Sequence, residues 1–99
     1  MNLKEKNNKL LIIDDDSMIL SHLEYIFKKH YDLVLCGKAE QALEKLKNGY
    51  KPNVILCDQI LPDMTGIDLL FNTIEISPDS IRIILTASND PKVIVESIN

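Results

Sequence analysis

Short, largely apolar runs alternate along the chain with segments in which apolar residues recur at helical spacing. The runs at residues 10–13, 33–36, 54–57 and 81–85 are each four or five residues long. A short apolar run bounded by polar residues is typical of a strand that is buried on both faces. The pattern therefore predicts four strands, the first of which ends abruptly at Asp14.

The segments between these strands predict helices, because their apolar residues fall every three or four positions. The first helix is expected to be capped by Asp16 or Ser17 and to run to about Lys29. The second is expected to stop at Gly49, since glycine tolerates the left-handed conformation that ends many helices. The apolar positions that define these two helices are Ile19, Leu23, Ile26, Phe27, Ala39, Ala42, Leu43 and Leu46.

A third helix is expected beyond a loop that contains Pro62 and Gly66, and residues 77–79 break it before the fourth strand. Residues 89–91, which read Asn-Asp-Pro, are a favourable start for a fourth helix. Strand and helix thus alternate four times, which predicts an α/β fold with a parallel sheet and helices on both faces. We expect one domain over residues 1–99.

Acidic side chains follow two of the predicted strands, and a threonine follows a third. The first strand ends at Asp14 and Asp15, the third at Asp58 and the fourth at Thr86. Ligands of parallel sheets bind beyond the carboxyl ends of the strands, so these side chains meet if the three strands are neighbours. Clustered carboxylates repel one another unless a cation neutralises them, and oxygen ligands alone favour Mg²⁺. The sequence therefore predicts a magnesium site in which an aspartate can attack phosphorus.

The arrangement of these residues resembles that of the receiver domain of bacterial two-component response regulators. The resemblance covers essentially the whole chain and implies a flavodoxin-like parallel sheet with strand order 2-1-3-4. The motifs that carry it, in the order of the family, are Asp14-Asp15, Asp58, Pro62, Gly66 and Thr86-Ala87.

The resemblance implies a role for each matching residue. Asp58 is expected to accept a phosphoryl group from a sensor histidine kinase, a phosphotransfer protein or a small acyl phosphate. Asp15 is expected to bind Mg²⁺ directly and Asp14 largely through water, with Asp58 and the main-chain carbonyl of Ile60 completing the metal site. Thr86 corresponds to a hydroxyl that moves toward the phosphoryl oxygens. A downstream output protein or domain is the expected partner of the phosphorylated state.

The pattern of the family continues beyond the residues present here. A full receiver domain has a fifth strand and a fifth helix, so the resemblance implies a domain that is incomplete at its C-terminus. The phosphate-binding lysine of the family lies on that strand, and no residue of this chain is expected to replace it. The fourth strand then becomes an edge with unpaired backbone groups. We therefore expect either a homodimer through this edge or a piece of a longer regulator.

Composition and charge argue against several other classes of protein. Eleven basic residues are scattered among fifteen acidic ones, for a net charge of −4, so direct binding to nucleic acid is not expected. No apolar run is long enough to span a membrane, and the N-terminus lacks the apolar core of a signal peptide. Cys36 and Cys57 fall on strands that the first strand should separate, which argues against a disulfide. A reducing, cytoplasmic location is expected.

Other interpretations of the same residues stay open. The acidic run could simply favour the start of the first helix, Asp58 could cap a turn, and Thr86 could be an ordinary strand residue. An aspartate-nucleophile phosphatase is a second functional candidate. Those enzymes need an aspartate two positions after the nucleophile, where this chain has Ile60, so an enzyme is not expected. A receiver-like module that binds partners without phosphorylation is a third candidate.

Overall fold

The computed structural model of the protein describes residues 8–85. Within that range, strands and helices alternate in the predicted order. The strands are β1 (Asn8–Ile13), β2 (Tyr31–Cys36), β3 (Val54–Asp58) and β4 (Ile81–Leu85), and the helices are α1 (Ser17–Phe27), α2 (Ala39–Lys47) and α3 (Gly66–Thr73). The helix predicted from residues 89–91 lies outside the described residues.

The four strands form one parallel sheet in the order β2-β1-β3-β4. β1 lies inside the sheet, with Ile13 opposite Cys36 of β2 on one side and Cys57 of β3 on the other. The strand order implied by the resemblance is therefore confirmed. Both cysteines are buried and free, as predicted. Because β1 and β3 are in register, the residues that follow them emerge at the same edge of the sheet.

Each face of the sheet carries its own hydrophobic core, because alternate residues of a strand point to opposite sides. The core between the sheet and helices α2 and α3 is the larger one. Its buried members include Leu11, Ile13, Ala42, Leu46, Ile55, Cys57, Leu69 and Leu70. On the other face, α1 packs against the buried strand residues Leu10, Ile12 and Leu56.

Helix α1 covers its face of the sheet only loosely. None of its residues is buried, and Met18 and Tyr25 are 79% and 73% exposed. An apolar groove of about 180 Å³ lies on the same face and is lined in part by Phe27 and Ile83. With fewer buried apolar contacts, this half of the described fold is expected to open more readily than the half beneath α2 and α3.

The predicted boundaries differ from the observed ones at strand starts and helix ends. β1 and β2 both begin two residues earlier than predicted, because Asn8 pairs with Tyr31 and Lys9 with Asp32. Backbone pairing extends over polar side chains, which an apolar pattern does not reveal. α1 ends at Phe27 instead of about Lys29, since the chain must turn before β2. No helix within residues 8–85 combines the length and the apolar character that crossing a bilayer requires.

Arg82 is a charged residue of β4 that is almost fully buried, with 1% of its surface exposed. Its guanidinium donates hydrogen bonds to the hydroxyl and carbonyl of Thr73 and to the carbonyls of Ser77 and Ser80. Thr73 is the last residue of α3, and the carbonyls of Thr73 and Ser77 also accept from main-chain N–H groups, so Arg82 adds a second donor to each. Arg82 thereby fixes the end of α3 and the following turn to the sheet. The apolar pattern of the strand gave no sign of this role.

Candidate functional site

Three carboxylates converge at the carboxyl edge of the sheet. Oxygen atoms of Asp14, Asp15 and Asp58 all lie within 4.8 Å of one another. The register explains the meeting, because Ile13 and Cys57 are paired and the next residues along each strand are Asp14 and Asp58. The predicted convergence of these three side chains is therefore confirmed.

Asp14 is the most deeply buried member of the cluster, with only 4% of its surface exposed. Its main-chain N–H donates to the carbonyl of Cys36, which extends the pairing of β1 with β2. Its Oδ1 accepts a hydrogen bond of 2.9 Å from the main-chain N–H of Asp16. Burial raises the pKa of Asp14 above its ordinary value, and the neighbouring charges of Asp15 and Asp16 add to this effect.

Asp58 ends β3 and is half-buried. Its Oδ2 accepts a hydrogen bond of 3.2 Å from the main-chain N–H of Ile60. Burial raises the pKa of the Asp58 carboxyl, and the charges of Asp14 and Asp15 raise it further. Ionising Asp14 or Asp58 therefore costs free energy in the folded protein, and a cation bound between the two carboxylates would offset that cost.

The donor set of this cluster suits a hard divalent ion. All three groups are carboxylates, the class of ligand that Mg²⁺ prefers, and Asp15 is exposed enough to share an ion with water. The neighbouring thiol does not compete. Burial raises the pKa of Cys57 to about 12, so it stays protonated, and its Sγ donates to the carbonyl of Asp58 at 3.2 Å. The residues present therefore fit magnesium better than a metal that prefers thiolate ligands.

The loop from Asp58 to α3 folds back on the end of β3. The N–H of Gly66 donates to the carbonyl of Gln59 at 2.8 Å, and the N–H of Ile67 donates to the Gln59 side chain. A Cβ atom at Gly66 would fall far inside van der Waals contact with the carbonyl oxygen of Asp58. Glycine is thus required here because the start of α3 packs against the backbone of the candidate phosphoacceptor.

The structure places the other predicted site residues as follows. Ile60 forms an isolated antiparallel bridge with Thr65, and its side chain is 78% exposed, so the chain next to Asp58 is open to solvent. The use of its carbonyl as a metal ligand stays a prediction. Thr86 lies outside the described residues, and its role also stays a prediction.

Asp63 belongs to the same loop and was missed by the sequence analysis. Its carboxylate accepts hydrogen bonds from the main-chain N–H groups of Ala39 and Glu40, at 3.1 and 3.0 Å. These two residues begin α2, so Asp63 caps a helix that lies more than twenty residues earlier in the chain. One signal was available, because the residue before α2 is Lys38, which cannot accept the hydrogen bonds of a helix start.

Comparison with known proteins agrees with this geometry. The family model for the response regulator receiver domain matches residues 10–99. The chemotaxis protein CheY of Thermotoga maritima is 30% identical over 94 residues, which cover 91% of this chain and 76% of that protein. An uncharacterized transcriptional regulatory protein of Bacillus subtilis, YhcZ, is 29% identical over 92 residues, covering 91% of this chain but 43% of its own length. The hydrogenase transcriptional regulatory protein HoxA of Bradyrhizobium diazoefficiens is 29% identical over 90 residues, which cover 91% of this chain and 18% of that protein.

Solved structures show the same fold. A CheY-like receiver domain protein from Methanospirillum hungatei superposes with a TM-score of 0.78 at 30% identity, covering 87% of this chain and 69% of that one. The receiver domain of an HD domain-containing protein from Pseudomonas fluorescens superposes with a TM-score of 0.79 at 27% identity, covering 95% of this chain and 69% of that one. The family match extends over most of the sequence, and the sheet order and the acidic cluster agree with it. The chain therefore belongs to the response regulator receiver domain family.

Proposed function

We propose that this receiver domain takes part in a phosphorelay by accepting a phosphoryl group on Asp58. The observation that carries the proposal is the cluster of Asp14, Asp15 and Asp58, whose carboxylate oxygens lie within 4.8 Å of one another. Asp58 is the proposed acceptor because it occupies the family's phosphoacceptor position at the end of β3, and it is half-buried beside the exposed Ile60, whereas Asp14 is buried. Family membership and the placement of the three acids support the same role.

The transfer itself requires little from the protein besides position and charge. A carboxylate oxygen of Asp58 attacks the phosphorus of a phosphohistidine or of an acyl phosphate such as acetyl phosphate. An O–P bond forms as the P–N or P–O bond of the donor breaks. The electron pair of that bond leaves with the imidazole nitrogen or the acetate oxygen. The product is a mixed anhydride of aspartate and phosphate.

Asp14 and Asp15 would hold Mg²⁺ together with Asp58 and the carbonyl of Ile60. When bound, the ion supplies positive charge that offsets the charge of the carboxylates and of the incoming phosphoryl group. The Ile60 N–H donates to Asp58 Oδ2, which orients that carboxylate and leaves its other oxygen available for the attack. Thr86 would donate its hydroxyl to a phosphoryl oxygen.

The proposal is tested by incubating the protein with acetyl phosphate and Mg²⁺ and recording intact mass. One added phosphoryl group is expected, and it should be absent when the metal is chelated or when Asp58→Asn is used. Asp79→Asn is the matched control, because Asp79 is an exposed aspartate before the start of β4, at the opposite end of the sheet. No adduct in the unmodified protein, at any acetyl phosphate concentration that it tolerates, would contradict the proposal.

We propose a phosphoacceptor and not a hydrolase, because Ile60 stands where aspartate-nucleophile phosphatases need an acid. An isoleucine side chain cannot protonate a leaving group. Sustained release of phosphate from an aryl phosphate monoester would favour the phosphatase instead. A protein that folds and binds partners but takes up neither metal nor phosphoryl group would favour the receiver-like module that works without phosphorylation.

The partners of the domain follow from the same proposal. Receiver domains of response regulators work with histidine kinases and with output domains, so a phosphohistidine protein is the expected donor. The chain spans 18% and 43% of HoxA and YhcZ, which are described as transcriptional regulatory proteins. We therefore propose that this domain controls an output domain or protein and does not itself contact DNA, in keeping with its net charge of −4.

Self-association through β4 is a further part of the proposal. β4 is the edge of the sheet among residues 8–85, and Ile81 on it is 51% exposed. Edge strands that carry apolar residues tend to pair with another chain. Light scattering over a concentration series should then show a dimer that Ile81→Lys weakens. A monomer at every concentration would contradict this part alone and leave the phosphoacceptor unaffected.

A further inference from the structure

Helix α2 takes its N-terminal cap from a distant loop. The residue before the helix, Lys38, makes no capping hydrogen bond with its side chain. The first two amides of the helix, those of Ala39 and Glu40, instead donate to the two oxygens of Asp63. These amides stabilise the carboxylate, and they lower the pKa of Asp63 below its ordinary value.

The loop that supplies this cap is the one that follows the candidate phosphoacceptor. At its start, the Ile60 N–H donates to Asp58 Oδ2, and Ile60 also pairs with Thr65 across the loop. Beneath it, Leu61 is buried in the larger core. Asp63 adds a bond to an element outside the loop, so the loop is tied to the core, to itself and to α2.

We propose that Asp63 is a positioning residue that holds the loop of residues 59–65 in the shape needed by the acidic cluster, and that it couples the start of α2 to occupancy of that cluster. The proposal rests on the function proposed above, because Ile60 matters to the cluster only if metal and phosphoryl group bind there. Asp63 touches neither group and acts through the backbone of the loop.

The physical reason is the cost of ordering. A loop held only at its ends and by Leu61 samples more conformations, and any metal ligand it carries must be ordered when the ion binds. The two charge-assisted hydrogen bonds that Asp63 accepts from Ala39 and Glu40 order the loop before the ion binds, so less conformational entropy is lost on binding. By linkage, an ion that orders the loop must in turn strengthen the hydrogen bonds that Ala39 and Glu40 donate to Asp63.

Variants can separate this role from ordinary helix capping. Asp63→Ala removes both the cap of α2 and the tie to the loop. Lys38→Ser in the same chain restores a local cap, since residue 38 already has the extended backbone of an N-cap, with φ −141° and ψ 151°. The double variant K38S/D63A therefore keeps a capped helix but lacks the tie, and Lys38→Ser alone controls for the lost lysine charge.

Two quantities decide between these roles. They are the Mg²⁺ affinity, measured by calorimetry, and the midpoint of thermal unfolding of the metal-free protein. We expect D63A to weaken Mg²⁺ binding by about tenfold or more, as for other residues that orient metal ligands, and to lower the midpoint. The double variant should recover the midpoint but not the affinity. Recovery of both, or an unchanged affinity in D63A, would overturn the inference and reduce Asp63 to a helix cap.

Amide exchange gives a second readout that does not depend on phosphorylation. Mg²⁺ should slow exchange at the amides of Ala39 and Glu40 in the unmodified protein. The amide of Lys9, which donates to the Asn53 side chain at the opposite end of the sheet, is the internal control and should change less. Equal changes at all three amides would contradict the coupling.

Two outcomes distinguish this inference from the function on which it rests. If the unmodified protein binds Mg²⁺ and D63A binds it equally well, the inference fails and the proposed function stands. If the unmodified protein binds no Mg²⁺, both fail. Should D63A not fold, Asp63→Asn takes its place, because asparagine keeps one acceptor oxygen and loses the charge and the second bond.

Discussion

At the scale of single residues, the chemistry of the domain depends on acids that are held together against their mutual repulsion. Asp14 and Asp58 are placed at adjacent strand ends by the register of β1 and β3, and the pKa of each is raised, first by burial. Raised pKa values mean that each carboxyl is harder to ionise in the folded, metal-free protein than in the unfolded chain. The site therefore lowers the stability of the fold at neutral pH and recovers it when a cation binds.

This balance predicts a pH-dependent effect of Asp58→Asn. With its folded pKa above the unfolded value, Asp58 disfavours folding once the pH rises through the folded pKa, and has no such effect below the unfolded value of about 3.9. In the absence of metal, the variant should be more stable than the unmodified protein at pH 7. The gain should vanish below about pH 4, as measured by urea unfolding. A gain that persists at low pH would show that charge is not its cause.

Gly66→Ala is expected to disturb Asp58 through the backbone contact between the start of α3 and the end of β3. Its Cβ would overlap the carbonyl of Asp58, so β3 or α3 must shift, at a cost of roughly 2 kcal/mol. Gly37→Ala is the matched control, since nothing lies within 4 Å of a Cβ at that position. Chemical denaturation checks stability, and calorimetry should show weaker Mg²⁺ binding for Gly66→Ala alone. Equal behaviour of the two variants would refute the packing argument.

At the scale of elements, the local pattern of the sequence predicted most of the fold. Apolar runs and helical spacing identified every strand and helix within residues 8–85, and Asp16 was correctly predicted as a candidate cap of α1. The strand-end aspartates could be found because parallel sheets bring their carboxyl ends together. Asp63 and Arg82 could not be found in this way. Their partners lie on other elements, and no local periodicity encodes such pairs.

Arg82 provides a test of one of these long-range links. Arg82→Met keeps an apolar stem of similar length but removes the hydrogen bonds that the guanidinium donates to Thr73, Ser77 and Ser80, which should cost about 2 kcal/mol of unfolding free energy. Arg82→Lys is the control that keeps the charge but not the planar group that bridges several carbonyls, and it should lose somewhat less. Urea unfolding measures both. A methionine variant as stable as the unmodified protein would contradict the bridging role.

At the scale of the whole molecule, metal binding and folding should be linked. A ligand that binds only the folded state at 100 times its dissociation constant stabilises it by about 2.7 kcal/mol. Mg²⁺ should therefore raise the thermal midpoint of the unmodified protein, and chelation should reverse the rise. Asp15→Asn should remove most of the effect, whereas Asp79→Asn should not. A midpoint that is insensitive to Mg²⁺ would argue against a metal site in the acidic cluster.

The most direct test of the central claim is to locate the phosphoryl group itself. Borohydride reduces an aspartyl phosphate to homoserine, so treatment after reaction with acetyl phosphate and Mg²⁺ marks the modified residue for peptide mass spectrometry. The proposal predicts homoserine at position 58 and at no other aspartate. Modification spread over exposed aspartates, or confined to a residue outside the cluster, would contradict it.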